Sequence, residues 1–140
     1  MIEVTIPGEP YAQKRPRARR MGQHATVYDP KENRDWKATA QQFMARAMGG
    51  RQPLTGPVRL VVLAGFTCPK SRHRKRVPRP AEPHTKRPDL DNVVKAAKDA
   101  ATGILWLDDS QVCDLTARKW TQAQGEAPRL EIMAMEVLSE

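Results

Sequence analysis

With 140 residues and 39% hydrophobic positions, the chain is long enough for one globular domain and too apolar for a disordered one. Its 24 Lys and Arg outweigh 16 Asp and Glu, a formal net charge of +8. That surplus favours polyanionic partners, because each neutralised phosphate releases condensed counterions.

Two cysteines, Cys68 and Cys113, make no disulfide framework, and free buried thiols are expected. The start Met1-Ile2-Glu3-Val4-Thr5-Ile6 carries neither a signal peptide nor a membrane span, so a reducing cytoplasm is the expectation. Ile2, Val4 and Ile6 alternate with Glu3 and Thr5, which predicts a strand ended by Pro7-Gly8-Glu9-Pro10. The basic stretch Lys14-Arg15-Pro16-Arg17-Ala18-Arg19-Arg20 reads as a loop or hairpin tip, with Val27 and Tyr28 as a short returning strand. Asp29-Pro30-Lys31-Glu32 predicts a helix start: Asp29 as N-cap, Pro30 at the first helical position, Glu32 at the third. Trp36, Ala40, Phe43 and Ala47 then form one apolar face with Met44 and Met48 beside it, and Gly49-Gly50 stops the helix.

Val58 to Phe66 is aliphatic and β-branched, the composition of a central strand. Between Cys68 and Pro88 prolines and cations crowd together, with Glu82 the single acid, and a long, mobile, basic loop is expected over residues 68–88. A second helix is predicted from about Asp89 to Ala101, with Leu90, Val93, Val94, Ala97 and Ala101 as its buried stripe and Thr102-Gly103 at its end. Ile104 to Leu107 is a short apolar run, and strands are predicted over Val112–Trp120 and Leu130–Leu138. The pattern describes a single α+β domain over residues 1–140: a mixed β-sheet packed with two main helices.

The densest polar constellation is Arg87-Pro88-Asp89-Leu90-Asp91-Asn92-Val93-Val94-Lys95. Asp91 and Lys95 share a helix face. Asp89 and Asp91 would point about 200° apart inside a helix, so they converge only if Asp89 sits extended or as a cap. A lone Asp here reads more readily as a plain cap, and Asp91–Lys95 can be an ordinary surface pair, but two acids and an amide exceed what one cap needs. Asp108-Asp109-Ser110 follows Trp106-Leu107, and its spacing suits a turn as well as a cleft. Three carboxylates beside a lysine in a cationic chain suggest Mg²⁺-assisted phosphodiester hydrolysis. Phosphate contacts are assigned to Lys14, Arg15, Arg17, Arg19, Arg20, Arg72, Arg74, Lys75, Arg76, Lys86 and Arg87. Cys68, His73 and His84 lack a zinc spacing, and no nucleophile elbow, P-loop or dinucleotide fingerprint is present. Trp36, Trp106 and Trp120 read as core or core-edge residues.

The run Lys86-Arg87-Pro88-Asp89-Leu90-Asp91-Asn92-Val93-Val94-Lys95-Ala96-Ala97-Lys98-Asp99-Ala100, followed by Gly103-Ile104-Leu105-Trp106-Leu107-Asp108-Asp109-Ser110-Gln111-Val112, resembles the signature of the RusA family of Holliday-junction resolvases. Gly8-Glu9-Pro10 to Arg17 and Val27-Tyr28-Asp29-Pro30 resemble its phage and prophage members. The resemblance implies that Asp89, Asp91 and Asp109 are metal-binding acids and Lys95 a catalytic lysine, with the role of Asp108 left open. It also implies a Mg²⁺- or Mn²⁺-dependent homodimer that nicks two symmetry-related strands of a four-way junction. A flap or single-strand nuclease using the same residues, and a non-catalytic DNA-binding protein, are the alternatives. The chain departs from compact members in its Pro- and Arg-rich insert between Cys68 and His84.

Overall fold

The computed structural model describes residues 1–138. In chain order its elements are β1 (Ile2–Pro7), β2 (Arg17–Met21), β3 (His24–Tyr28), α1 (Lys31–Met48), β4 (Val58–Phe66), β5 (Glu82–Pro83), α2 (Leu90–Ala101), β6 (Val112–Thr121) and β7 (Arg129–Glu136). Short 3-10 turns cover Lys70–Arg72 and Asp109–Gln111. The main sheet runs β1-β7-β4-β6-β5, and all its pairings are antiparallel except β4 with β6. A parallel pair needs a crossover, and the chain between β4 and β6 supplies it as α2, which packs on both. The result is the expected α+β arrangement of a mixed sheet and two helices.

Period-two alternation explains which face the helices cover. Ile2, Val4 and Ile6 of β1, Val58, Leu60, Val62 and Ala64 of β4, and Leu130, Ile132 and Ala134 of β7 are all buried. They meet Ala40, Met44 and Met48 of α1 and Val93, Ala97, Ala100 and Ala101 of α2 in one core. Alanine dominates the buried stripe of α2. Small side chains let α2 lie close to α1 and the sheet, which holds its polar face at a fixed height.

Five sequence expectations change. Asp29 does not cap α1: Pro30, extended at ψ 141°, is the N-cap, and the Asp29 carboxylate instead accepts from the Asn33 side chain at 2.8 Å. The deepest stripe of α1 is Asn33, Ala40, Met44 and Met48, while Trp36, Phe43 and Ala47 are only partly buried. The basic loop is not free chain. It adds β5 to the edge of β6, and the Gln124 carboxamide accepts from the Arg74 and Arg79 backbone N–H groups and donates to the Arg74 carbonyl. Cys68 is buried as expected, but Cys113 is exposed; both are free thiols. The last strand ends at Glu136, two residues short of Leu138.

The basic stretch near the N-terminus resolves into a hairpin, β2–β3, that forms a separate two-stranded sheet. Its turn places Gly22 at φ 64°, the conformation a tight hairpin demands of its first central residue. Every residue of both strands is exposed.

Candidate active site

The end of α2 nearest the basic loop is built by Asp89 and a lysine that sequence reasoning passed over. Asp89 is the N-cap, at φ −69° and ψ 140°, the extended geometry in which it leaves the helical phase of Asp91. Its side chain makes no capping hydrogen bond. The chain leading to it is held from the sheet: Lys119 on β6 donates its ammonium to the carbonyls of Lys86 (2.7 Å) and Pro88 (2.8 Å). A charge-assisted pair of this kind is among the stronger hydrogen bonds available.

Along the exposed side of α2 runs an open cleft of about 240 Å³ lined by Asp91, Val94, Lys95, Lys98, Asp99 and Asp109. Asp91, Lys95 and Asp99 are spaced four apart and share one helix face. The rise from Asp91 to Asp99 is about 12 Å at ~1.5 Å per residue, so the cleft has two ends. Asp109 closes the end nearer Thr102. Two donors hold its Oδ1: Thr102 Oγ1 at 2.5 Å and Trp106 Nε1 at 3.2 Å. Trp106 is fully buried, so this indole does two jobs. Its ring fills the core and its N–H fixes the rotamer of an acid at the surface. The fit agrees with the core reading of Trp106 and adds a function which its position in the sequence did not reveal.

Asp108 has a defined task as well. Its carboxylate accepts from Ser110 N–H at 2.8 Å and caps the 3-10 turn, while Gln111 Oε1 accepts from the Asp108 N–H in return. The Ser110 hydrogen bonds hold the Asp108 carboxyl below its ordinary range. Gln111 also donates to the carbonyls of Leu54 and Gly56, which anchors the turn to the chain before β4. Of the paired acids, one is consumed by the turn and the other is presented to the cleft.

Asp99 is a carboxylate that sequence reasoning quoted without assigning. Its pKa is raised, first by partial burial and then by the facing Asp109 charge, with Lys95 opposing. Gln13 Nε2 donates to its Oδ2 at 3.1 Å. The spacing of four from Lys95 was the signal that could have found it.

The predicted DNA-contacting side chains are Lys14, Arg15, Arg17, Arg19, Arg20, Arg74, Lys75, Arg76, Lys86 and Arg87, all exposed, and Arg72. Two of them have acidic partners: Arg72 pairs with Glu82 at 2.5 Å and Lys14 with Glu32 at 3.7 Å. Among the described residues no group of three or more His, Cys, Asp and Glu side chains encloses a metal position, and Asp89 does not line the cleft. The donor chemistry nonetheless suits a hard divalent cation. The ligands available are all carboxylate oxygens, Asp91 and Asp89 are solvent-facing, and Asp109 keeps one oxygen free of protein donors.

A cleft of carboxylates and lysines on a crossover helix, in a chain of net charge +8, has the chemistry of a protein that handles polyanions. The endodeoxyribonuclease RusA family profile matches residues 7–135. The chain belongs to the RusA endodeoxyribonuclease family. It is also similar to the uncharacterized protein YqaN of Bacillus subtilis (strain 168), 37% identical over 145 residues that span 97% of this chain and 96% of YqaN. No helix among the described residues is long and apolar enough to cross a membrane.

Proposed function

We propose that this protein is a divalent-metal-dependent endonuclease that resolves four-way DNA junctions, acting as a homodimer that nicks two symmetry-related strands. The observation that carries the reading is the α2 cleft, where Asp91, Lys95 and Asp109 line one surface and Asp109 is held in place by Thr102 and Trp106. A hydrolytic site for phosphodiesters needs carboxylates fixed before substrate arrives and a cation for the charge that develops.

Asp91 and Asp109, with Asp89 from the helix cap, would hold Mg²⁺ or Mn²⁺. The bound ion supplies Lewis-acid polarisation of the scissile phosphate and a water of lowered pKa. Lys95, exposed on the same face, would offer its ammonium to a phosphate oxygen that gains charge. Lys119 holds the backbone before Asp89 so that this acid enters the site from a fixed start. The exposed cations of the hairpin and of the 68–88 segment neutralise phosphates and position the DNA without reading bases. A dyad-related pair of sites matches the two-fold symmetry of a junction.

The test is cleavage of a four-way junction, a flap and a linear duplex in Mg²⁺ and in Mn²⁺. Junction incision at paired positions is the expected result, and faster cutting of the flap would assign the broader structure-selective activity instead. Asp91→Asn should abolish cleavage while junction binding survives. A variant that still cuts at wild-type rate would remove Asp91 from the site.

A further inference from the structure

Asn33 is a buried polar side chain that the catalytic reading does not use. It is 3% exposed on α1, yet its carboxamide is completely satisfied. Oδ1 accepts from Tyr11 Oη at 2.6 Å and from the Lys14 backbone N–H at 3.0 Å. Nδ2 donates to the Lys14 carbonyl at 2.9 Å and to Asp29 Oδ1 at 2.8 Å. The amide orientation is forced, because Lys14 N–H can only donate and Lys14 C=O can only accept. Lys14 is where the chain leaves the body of the protein and Asp29 is where it returns. One side chain therefore joins both roots of the β2–β3 hairpin.

The same roots are tied to the catalytic helix. Tyr11 stacks on Trp36 of α1, with ring centroids 5.5 Å apart. Gln13 donates its backbone N–H to the Asn92 carbonyl at 2.9 Å and its side chain to Asp99 at 3.1 Å, both on α2. Beyond these roots, among the described residues, neither hairpin strand has extensive contact with any strand or helix except the other. A two-stranded ribbon alone in water is marginal, so its direction depends on its roots. Arg17 and Arg19 lie on one face of it, with Thr26 and Tyr28 as their cross-strand partners. Arg20 lies on the other face, and no hairpin arginine has an acidic partner on the hairpin.

We propose that Asn33 is a positioning residue: it clasps the β2–β3 hairpin into a DNA-gripping arm held at a set angle to the α2 cleft, so that arm and cleft engage one DNA molecule together. The partner is the phosphate backbone of a duplex arm, identified by unpaired arginines on a ribbon of a width that a DNA groove admits. This deepens the endonuclease reading and rests on it for the identity of the DNA.

The experiment is a double-mutant cycle on binding to a synthetic immobile four-way junction, measured without divalent metal across a range of salt concentrations. The proteins are wild type, Asn33→Ala, Arg17→Ala with Arg19→Ala, and the triple variant. The arginine pair should weaken binding about tenfold and reduce the slope of log K against log salt by roughly 2, at about 0.9 per phosphate contact. Asn33→Ala should lower both by similar amounts, and the triple variant should be no weaker than either parent. A merely destabilising change would reduce the active fraction and leave the salt slope unchanged. An unchanged slope for Asn33→Ala, or fully additive losses in the triple variant, would overturn the proposal. Tyr11→Phe removes one bond of the clasp while keeping the ring on Trp36. It carries the same cycle, with a smaller change of the same sign, should Asn33→Ala not fold. Because no cleavage is read, wild-type protein that binds the junction but never cuts it refutes the nuclease reading and leaves the clasp standing.

Discussion

The Asp109 carboxylate reaches the cleft through two neighbours, one a surface hydroxyl and one the most deeply set indole of the core. The Lys98 carbonyl lies 2.9 Å from the same Thr102 Oγ1 and competes with Asp109 for its single proton, so the threonine sits where the last turn of α2 and the acid meet. Removing such a supporting contact usually costs about 10–100-fold in metal affinity or activity in metal sites. Thr102→Val should therefore lower kcat by roughly that factor, while costing only about 1 kcal/mol of stability, the net worth of a typical hydrogen bond. Steady-state cleavage beside a thermal melt checks both. Wild-type kcat in that variant would mean that Asp109 needs no such support.

Among the elements, β5 is short and rests on its neighbours. Just beyond it, His84 stacks on Phe66, with centroids 4.4 Å apart, and its Nδ1 is buried without a partner. Burial first, and then the Lys119 charge, push the His84 pKa below its ordinary value. The unfolded chain therefore takes up this proton before the folded one does. Stability is fully present above about pH 6.5, the unfolded value, and falls as pH drops from there towards the lower folded value. His84→Phe should keep the stack and lose less Tm than wild type between about pH 7.5 and about pH 5. Equal losses in both proteins would assign the acid sensitivity elsewhere. The position matters because β5, Lys119 and the segment 86–88 together set where α2 begins.

At the scale of the whole molecule, the protein is a sheet with helices on one face and two cationic outgrowths, of which one is a free hairpin and the other is laced to Gln124. The proposed paired incision requires two copies. Sedimentation equilibrium should return twice the 15.8 kDa chain mass, and a monomer at every concentration that supports junction cleavage would exclude the symmetric mechanism. Much of this layout was legible in the chain. Alternation marked β1, aliphatic and β-branched composition marked β4, and the α2 stripe and its glycine end were readable from period and punctuation. The extended geometry of Asp89 was the condition that helix phase set for Asp89 and Asp91 to converge, and Asp89 has it as N-cap. Less legible was β5, because a two-residue strand between prolines carries no periodicity. Asp29 was misread as a cap because Asn33, four residues on, competes for its carboxylate.

By itself the sequence determined the family, the α+β pattern and the identity of the acids and lysine along α2, since each depends on residue type, local spacing or order along the chain. Only the tertiary structure decided which of the paired acids at 108 and 109 serves a turn and which faces the cleft. It alone joined Trp106 to Asp109, Lys119 to the start of α2, Gln13 to Asp99 and Asn33 to both roots of the hairpin. Apart from Trp106 with Asp109, and Asn33 with Asp29, these contacts span long stretches of chain. Hydrogen-bond partners at that separation are chosen by packing, and no periodicity in the sequence records them.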